Sequence, residues 1–315
     1  MSTRPLVLVT GASGFIGRPL VGWLAHGGWQ VRAASRQRLD LRVDGAAWVP
    51  MPDLGAPCDW SMLVRGVDHV VHLAGIAHSR ARLDERTYLR MNTEASGELA
   101  RAAAAAGVSR FVLLSSVRAQ NGPSAGSVVA GATAPAPTDA YGRSKLAAEL
   151  AVAAEYPDAT MLRPVLVIGP GAKGNLAQLS RLARARLPLP FEALHNKRSL
   201  LGLDNLLSII AFCLTAENAR GRQFLAADPE PMSVRDLVAS MRQALDRPPG
   251  LVAVPPALLG AMLTVVGRGG LMSSLLGDLR VDVSALTAAG WRPVSTTADE
   301  IIRMMTAVQA SASSR

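Results

Sequence analysis

Cysteine is nearly absent: Cys58 and Cys213 are the only two in 315 residues. They stand far apart, with no Cys-x-x-Cys pair and no Cys/His spacing of a metal site. That argues against a disulfide framework and a zinc centre, so no metal is expected, and it points to a reducing compartment. Aromatic residues are scarce at 4%, which favours layered α/β packing through small and aliphatic side chains over an all-β sandwich. No run of five or more basic residues accompanies the formal net charge of +9. The arginines are interspersed with Asp and Glu, so the excess suits small anionic ligands, and nucleic acid is not expected as a partner. The amino terminus lacks the long apolar core and cleavage site of a signal peptide, and a cytoplasmic location is expected. One uncharged stretch, residues 251–267, approaches a membrane span in length. Pro255-Pro256 divides it into a short strand and a short helix, so it is expected to be buried or to line a pocket, with no membrane span.

What is present in quantity is apolar surface. Hydrophobic residues make up 49% and charged residues 18%, enough for a sizeable core, and the length favours two unequal domains. Strand-length segments at 6–10, 31–35, 48–51, 67–74, 111–115 and 161–168 alternate with helical ones at 16–26, 82–106 and 141–155. This alternation predicts an α/β fold, a doubly wound parallel sheet with helices on both faces. A Gly-, Ala-, Ser- and Pro-rich loop fills 121–138. Further on, helices are predicted over 176–186 and 203–215 and a last strand over 223–227. Ser233 with Asp236 starts another helix through Leu245 by a capping box, and the final six residues are expected to fray. The expected division is a larger domain of residues 1–170, to which 200–228 return. A smaller C-terminal α/β substrate domain would comprise 171–199 and 229–315.

Chemistry concentrates at three places. Gly11-Ala12-Ser13-Gly14-Phe15-Ile16-Gly17 lies between the first strand and its helix, where a tight glycine turn and unpaired helix N–H groups cradle a phosphate. Tyr141 and Lys145 share one helix face at i and i+4. A nearby ammonium is expected to draw the phenol pKa down toward neutrality, as a proton shuttle requires. Ser116 ends the fifth strand, at the edge where open α/β sheets place their ligands; Ser115 beside it reads as structural.

Thr10-Gly-Ala-Ser-Gly-Phe-Ile-Gly17, Ser116 and Tyr141-Gly-Arg-Ser-Lys145 together resemble the extended short-chain dehydrogenase/reductases of the NAD-dependent epimerase/dehydratase family. The resemblance implies a Rossmann-type sheet and a catalytic set of Ser116, Tyr141 and Lys145. It also implies a dinucleotide held by Gly11, Ser13, Gly14, Phe15, Ile16 and Gly17, with Asp53 and Leu54 at the adenine. Leu73, Ala74, Gly75 and Asn92 would face the cofactor, joined by Tyr141 and Lys145. His72 is either beside the dinucleotide or a satisfied core histidine. At the end of the second strand, Ala34-Ser35-Arg36 stands where NAD enzymes place a carboxylate. Ser35 tolerates a 2′-phosphate and Arg36 binds one, so NADP(H) is favoured, with NAD(H) possible.

The second half is similar to bacterial reductases of UDP-linked 4-keto-6-deoxy-N-acetylhexosamines, which serve surface-polysaccharide assembly. The similarity runs through Leu162-Arg163-Pro164, Gly169-Pro170-Gly171, Lys173-Gly174-Asn175, residues 187–191 and 196–200, Leu203-Asp204-Asn205, Gly277-Asp278-Leu279 and Gly290-Trp291. It implies a UDP-linked sugar substrate touching Ser116, with Asn175 and Arg198 on the diphosphate and Lys173 as a further candidate. Leu189 and Phe191 would line the base through backbone contacts. The competing reading for Arg198 is a surface ion pair with Glu192. UDP-galactose epimerases carry an arginine where residues 272–276 have none. The expected reaction is reduction of the 4-keto group. A UDP-sugar 4-epimerase with tightly held NAD is the alternative, and a non-catalytic NADP-binding sensor the alternative from another class. Ala147, Ala148, Ala151 and Ala154 on the Tyr141 helix suggest a homodimer.

Overall fold

The computed structural model describes residues 4–76, 83–265 and 277–313. The described residues form nine strands: β1 (Leu6–Thr10), β2 (Gln30–Ser35), β3 (Ala46–Pro50), β4 (His69–His72), β5 (Arg110–Leu114), β6 (Thr160–Pro164), β7 (Leu166–Ile168), β8 (Leu200–Gly202) and β9 (Gln223–Ala226). Seven of them form one sheet in the order β3-β2-β1-β4-β5-β6-β9, with every pairing parallel. Parallel strands need helical crossovers, which bury both faces of the sheet and explain the almost uninterrupted apolar strands. The chain leaves β1 toward β2 on one side and returns to β4 on the other, which opens a crevice at the carboxyl ends of these strands. The register aligns Thr10 with both Ala34 and His72 there.

The helices are α1 (Gly17–His26), α2 (Ser61–Val64), α3 (Glu85–Tyr88), α4 (Ala95–Ala105), α5 (Val117–Gln120), α6 (Ala140–Glu155), α7 (Gly174–Arg184), α8 (Leu203–Thr215), α9 (Val234–Gln243), α10 (Pro256–Val265), α11 (Ser284–Ala288) and α12 (Thr297–Ser313). On one sheet face, Leu20 and Leu24 of α1 and Leu206 and Ile210 of α8 close over Val7, Val9 and Val112. On the other, Leu99 and Ala103 of α4 and Ala148 and Val152 of α6 cover Leu8, Val70 and Phe111. A third cluster gathers Leu176 and Leu179 of α7, Val238 and Met241 of α9, and Ile301 and Met305 of α12 around Ile168 and Leu200. This is where the paired strands β7 and β8 sit, apart from the main sheet.

Three segments depart from the expected pattern. The sixth strand, expected over 161–168, is two. Pro164 ends β6 without an N–H to donate, and the chain turns so that β7 pairs with β8 in a second sheet. The long helix expected over 82–106 contains a π-helical stretch, Leu89–Glu94, between α3 and α4; its expected start at residue 82 lies outside the described residues. The uncharged run does split at the two prolines, with Leu251 bridging to Leu189 and α10 beginning at Pro256. Leu259 is buried, but Leu258 and Val252 are exposed, so the segment is not simply core. Residues 266 and 267 of that run, and residues 272–276, lie outside the described residues. Among the described residues no helix is long and apolar enough to cross a membrane.

The Ser233 cap is present, its hydroxyl accepting from the Asp236 N–H at 2.9 Å. Of the carboxyl-terminal residues expected to fray, those through Ser313 belong to α12, and the last two lie outside the described residues.

Candidate active site

The glycine turn after β1 is held by contacts that leave no room for side chains. Gly11 has φ +69°, and a Cβ there would lie 2.9 Å from the Ala74 nitrogen. A Cβ on Gly17 would lie 2.2 Å from the Gly11 carbonyl oxygen. The Gly14 N–H closes the turn onto that same carbonyl at 2.9 Å. Ser13, Phe15 and Ile16 are left at least partly exposed around it. Ile16 caps α1 with no side-chain hydrogen bond, and the first turn holds no acidic residue. Such an end suits an anion, so the turn fits the pyrophosphate of a dinucleotide.

Beside it, Thr10 and His72 tie β1 to β4. The Thr10 hydroxyl lies 2.7 Å from His72 Nδ1, and the Ser96 hydroxyl 2.9 Å from Nε2. Burial pushes the His72 pKa down to about 3, with Lys145 acting in the same direction. His72 is thus a satisfied, neutral core histidine. Thr10, which sequence reasoning did not single out, also accepts from the Leu73 and Ala74 N–H groups at 3.2 Å each.

Asn92 sits in the π-helical stretch and is consumed by the protein. Its Oδ1 accepts from the Ile76 N–H at 2.8 Å, and its Nδ2 donates to the Ile76 carbonyl and to the Ser144 hydroxyl at 3.1 and 3.0 Å. A Cβ on Gly75 would lie 2.7 Å from that Oδ1. Asn92 thus links the end of β4 to α6 through Ser144, one residue before Lys145. Ser35 is also bonded within the chain. Its hydroxyl donates to the Gln37 carbonyl at 2.6 Å and accepts from the Trp48 indole at 3.1 Å, so its polar capacity is largely spent inside the chain. Arg36 is exposed, and Arg38 lies 5.9 Å from the Trp48 ring centre. Asp53 is exposed and accepts from the Gly55 N–H, while Leu54 is buried.

The catalytic candidates converge at the end of β5. Ser116 caps α5 by accepting from the Arg118 N–H at 3.2 Å, and it is hydrogen-bonded to Tyr141. Gly142 permits this: a Cβ there would lie 2.4 Å from the Arg118 carbonyl oxygen. Only glycine lets α6 press this closely on α5. Asp139 caps α6 at 2.7 Å from the Gly142 N–H and also pairs with the Arg118 guanidinium.

The phenol pKa runs opposite to expectation. Burial raises it, and the Ser116 hydrogen bond only partly offsets that. Lys145 is turned away: its Nζ donates to the Leu114 carbonyl at 2.6 Å, and burial lowers its own pKa to about 8. A proton-bearing Tyr141 suits a donor to a carbonyl oxygen better than a phenolate base.

On the substrate side, Arg198 is no surface residue. Its guanidinium donates to the Gly277 carbonyl at 2.5 Å and the Pro123 carbonyl at 2.9 Å. Burial brings its pKa down to about 10, reinforced by the charge of Arg118. Its expected competitor is excluded, because Glu192 pairs with Arg235 at 2.9 Å. Arg118, two residues past Ser116, was missed by sequence reasoning; only the fold brings it to Asp139, Tyr141 and Arg198.

The backbone groups of Leu189 and Phe191, expected at the base, already have partners within the chain. The Leu189 N–H donates to Gly250, its carbonyl accepts from Val252 and Phe191, and the Phe191 carbonyl accepts from Leu194. Asn175 and Lys173 are exposed at the start of α7.

Comparisons with known proteins agree on the family. The family model described as NAD dependent epimerase/dehydratase family matches residues 7–227. A UDP-glucose 4-epimerase of Vibrio cholerae is 32% identical over 304 residues, covering 92% of this chain and 91% of that protein. A ceramide reductase of Caulobacter vibrioides is 32% identical over 219 residues, 67% of this chain and 62% of that one. Among solved structures, MoeE5 in complex with UDP-glucuronic acid and NAD has a TM-score of 0.74 at 25% identity, covering 97% of this chain and 99% of that one.

Proposed function

The chain belongs to the NAD dependent epimerase/dehydratase family, and from that premise we propose that it reduces the 4-keto group of a UDP-linked sugar with Tyr141 as proton donor. The observation that carries the reading is the Ser116–Tyr141 hydrogen bond at the carboxyl edge of β5, with Lys145 one turn further along α6. The dinucleotide, when bound at the glycine turn, supplies the hydride. Ser116 holds the carbonyl oxygen in line with the phenol, and Tyr141 delivers its proton as negative charge develops there. Lys145, its Nζ on the Leu114 carbonyl, adds positive charge at the carboxyl end of β5 rather than a direct contact to that oxygen. A UDP-sugar 4-epimerase is the second reading, favoured by the Vibrio cholerae relative of that name. Incubation with NADPH and a UDP-linked 4-keto sugar tests the proposal; interconversion of UDP-hexoses without net loss of reduced cofactor speaks for the second reading.

NADPH is the proposed cofactor, since no carboxylate ends β2 and Arg36 is exposed there. Arg36→Ala is expected to weaken NADPH by about 1.5–3 kcal/mol, the range for hydrogen bonds to charged groups, and to leave NADH nearly unchanged. Titration of both cofactors into both proteins checks this, and equal losses count against Arg36 as the 2′-phosphate reader.

Residues 171–199 and 229–315 are proposed as the substrate domain, with Arg198 and Asn175 toward the diphosphate. Arg198→Ala is expected to weaken UDP binding by about 1.5–3 kcal/mol. It should also lower the melting temperature, because the Gly277 and Pro123 carbonyls lose their donor. Calorimetric titration with UDP reads the first effect; unchanged affinity would falsify the diphosphate role.

A homodimer through α4 and α6 is also proposed. Ala148 is spent on the chain's own core, but Leu150 and Ala154 remain exposed on α6. Light scattering at micromolar concentration should give twice the chain mass, and a monomer mass removes the proposal.

A further inference from the structure

One face of the chain combines exposed apolar side chains with unpaired positive charge. Leu182, Leu187, Val252 and Leu258 are 44%, 71%, 43% and 54% exposed. They come from two stretches of sequence that the fold lays side by side. The Leu189 N–H donates to Gly250 at 3.0 Å, Val252 returns a bond to Leu189 at 2.9 Å, and Arg242 holds the Leu187 carbonyl at 2.6 Å. Beyond Val252, residues 256–261 of α10 contain no polar side chain.

The charge around these groups is mainly positive: Glu192, whose N–H donates to the Val252 carbonyl, is paired with Arg235. No aspartate or glutamate occurs in residues 173–191 or 247–265. Arg181, just before Leu182, and Arg184 and Arg186, between Leu182 and Leu187, are exposed, and no ion pair joins them to any described residue. A second copy of the chain docking here about a two-fold axis would bring these arginines against their own equivalents, which like-charge repulsion opposes. An anionic lipid surface satisfies both properties at once. Leucines enter the headgroup layer, and the guanidinium groups stay at the phosphates through snorkelling side chains.

We infer that this face, formed by 181–188 and 252–258, docks the enzyme on the surface of an anionic phospholipid bilayer. Contact is peripheral, and it lies on the same lobe as Leu189, Phe191 and Arg198.

Each arginine near an anionic surface strengthens binding about fivefold. The full-length protein is therefore expected to sediment with vesicles of phosphatidylcholine and phosphatidylglycerol, and not with phosphatidylcholine alone, and to be released at high salt. The Leu182→Glu/Leu187→Glu protein should lose at least tenfold in vesicle affinity, on the order of 0.8 kcal/mol per CH₂ withdrawn from the layer. The triple variant Arg181→Glu/Arg184→Glu/Arg186→Glu should lose more, while Met62→Glu, at an exposed apolar site elsewhere, should bind as wild type. All five substituted side chains of the two patch variants are exposed, so circular dichroism should show the folded protein. Failure to bind anionic vesicles, equal binding to both lipid mixtures, or patch variants that bind as wild type each overturns the inference. So does a patch variant that changes the oligomeric mass while no form binds vesicles, which assigns the face to a second copy. None of these outcomes alters the expected behaviour of the Tyr141 site in solution.

Discussion

Tyr141→Phe should keep its affinity for the dinucleotide and lose turnover by about 10²–10⁴-fold, the usual contribution of a positioned general acid. The substitution removes one oxygen from a ring that packs 6.1 Å from Tyr88, centre to centre, so the cleft keeps its shape. What goes is the phenolic proton, the one proposed to reach the substrate carbonyl. The pH dependence follows from the direction of the shift. Burial raises the Tyr141 pKa, so the phenol stays protonated across neutral pH, and reduction should not decline on that account until well into the alkaline range. Lys145, brought down to about 8 by burial, loses its charge earlier. The alkaline limb of the wild-type profile should therefore begin near that value, as the lysine stops supporting charge on the oxygen. Steady-state rates over a pH series in both proteins check the pair of expectations. Near wild-type turnover in Tyr141→Phe would remove the assigned role.

The largest stability effect is expected at Arg163. Its side chain on β6 is fully buried and pairs with Glu149 of α6 through two bonds, Nε to Oε1 at 2.8 Å and Nη2 to Oε2 at 2.5 Å. The remaining Nη1 donates to Gln120 of α5. One guanidinium thus joins the strand to both helices that carry Ser116 and Tyr141. Arg163→Met leaves a buried carboxylate unpaired and should cost about 3–5 kcal/mol, as breaking a buried pair does. Removing both charges is another matter, because the desolvation penalty disappears with them. Arg163→Met/Glu149→Leu should recover most of the loss. Denaturant unfolding of the three proteins decides it. A single variant that costs under about 1 kcal/mol, the size of an exposed pair, would mean that the buried pair does not hold these elements together.

The parts of the site that sequence revealed are those defined by local geometry. Gly11, Gly14 and Gly17 are spaced for a turn whose steric demands act within seven residues. Tyr141 and Lys145 share a helix face because of the helical repeat alone. Ser116 was found because strands in parallel sheets end at one edge. What escaped was set by contacts between distant positions. Whether Ser35 is available depends on Trp48 in the next strand, and whether Asn92 faces a ligand depends on Ile76 and Ser144. The role of Arg118 requires Asp139 and Arg198, and the fate of Lys145 requires the Leu114 carbonyl. The break in the sixth strand had a local sign, Pro164, but the second sheet that receives β7 is built from residues 200–202. Helix and strand positions were legible from apolar spacing. The competition among polar groups for partners was not, because each hydrogen bond closes only once the fold has brought its two ends together.

The most direct measurement is the mass of the sugar product formed from a UDP-linked 4-keto-6-deoxyhexosamine and NADPH by the wild-type protein. A product heavier than the substrate by two hydrogen atoms, formed in step with NADPH consumption and suppressed in Tyr141→Phe, is the expected result. An isomer of unchanged mass, with the reduced cofactor untouched, would contradict carbonyl reduction as the reaction of this site.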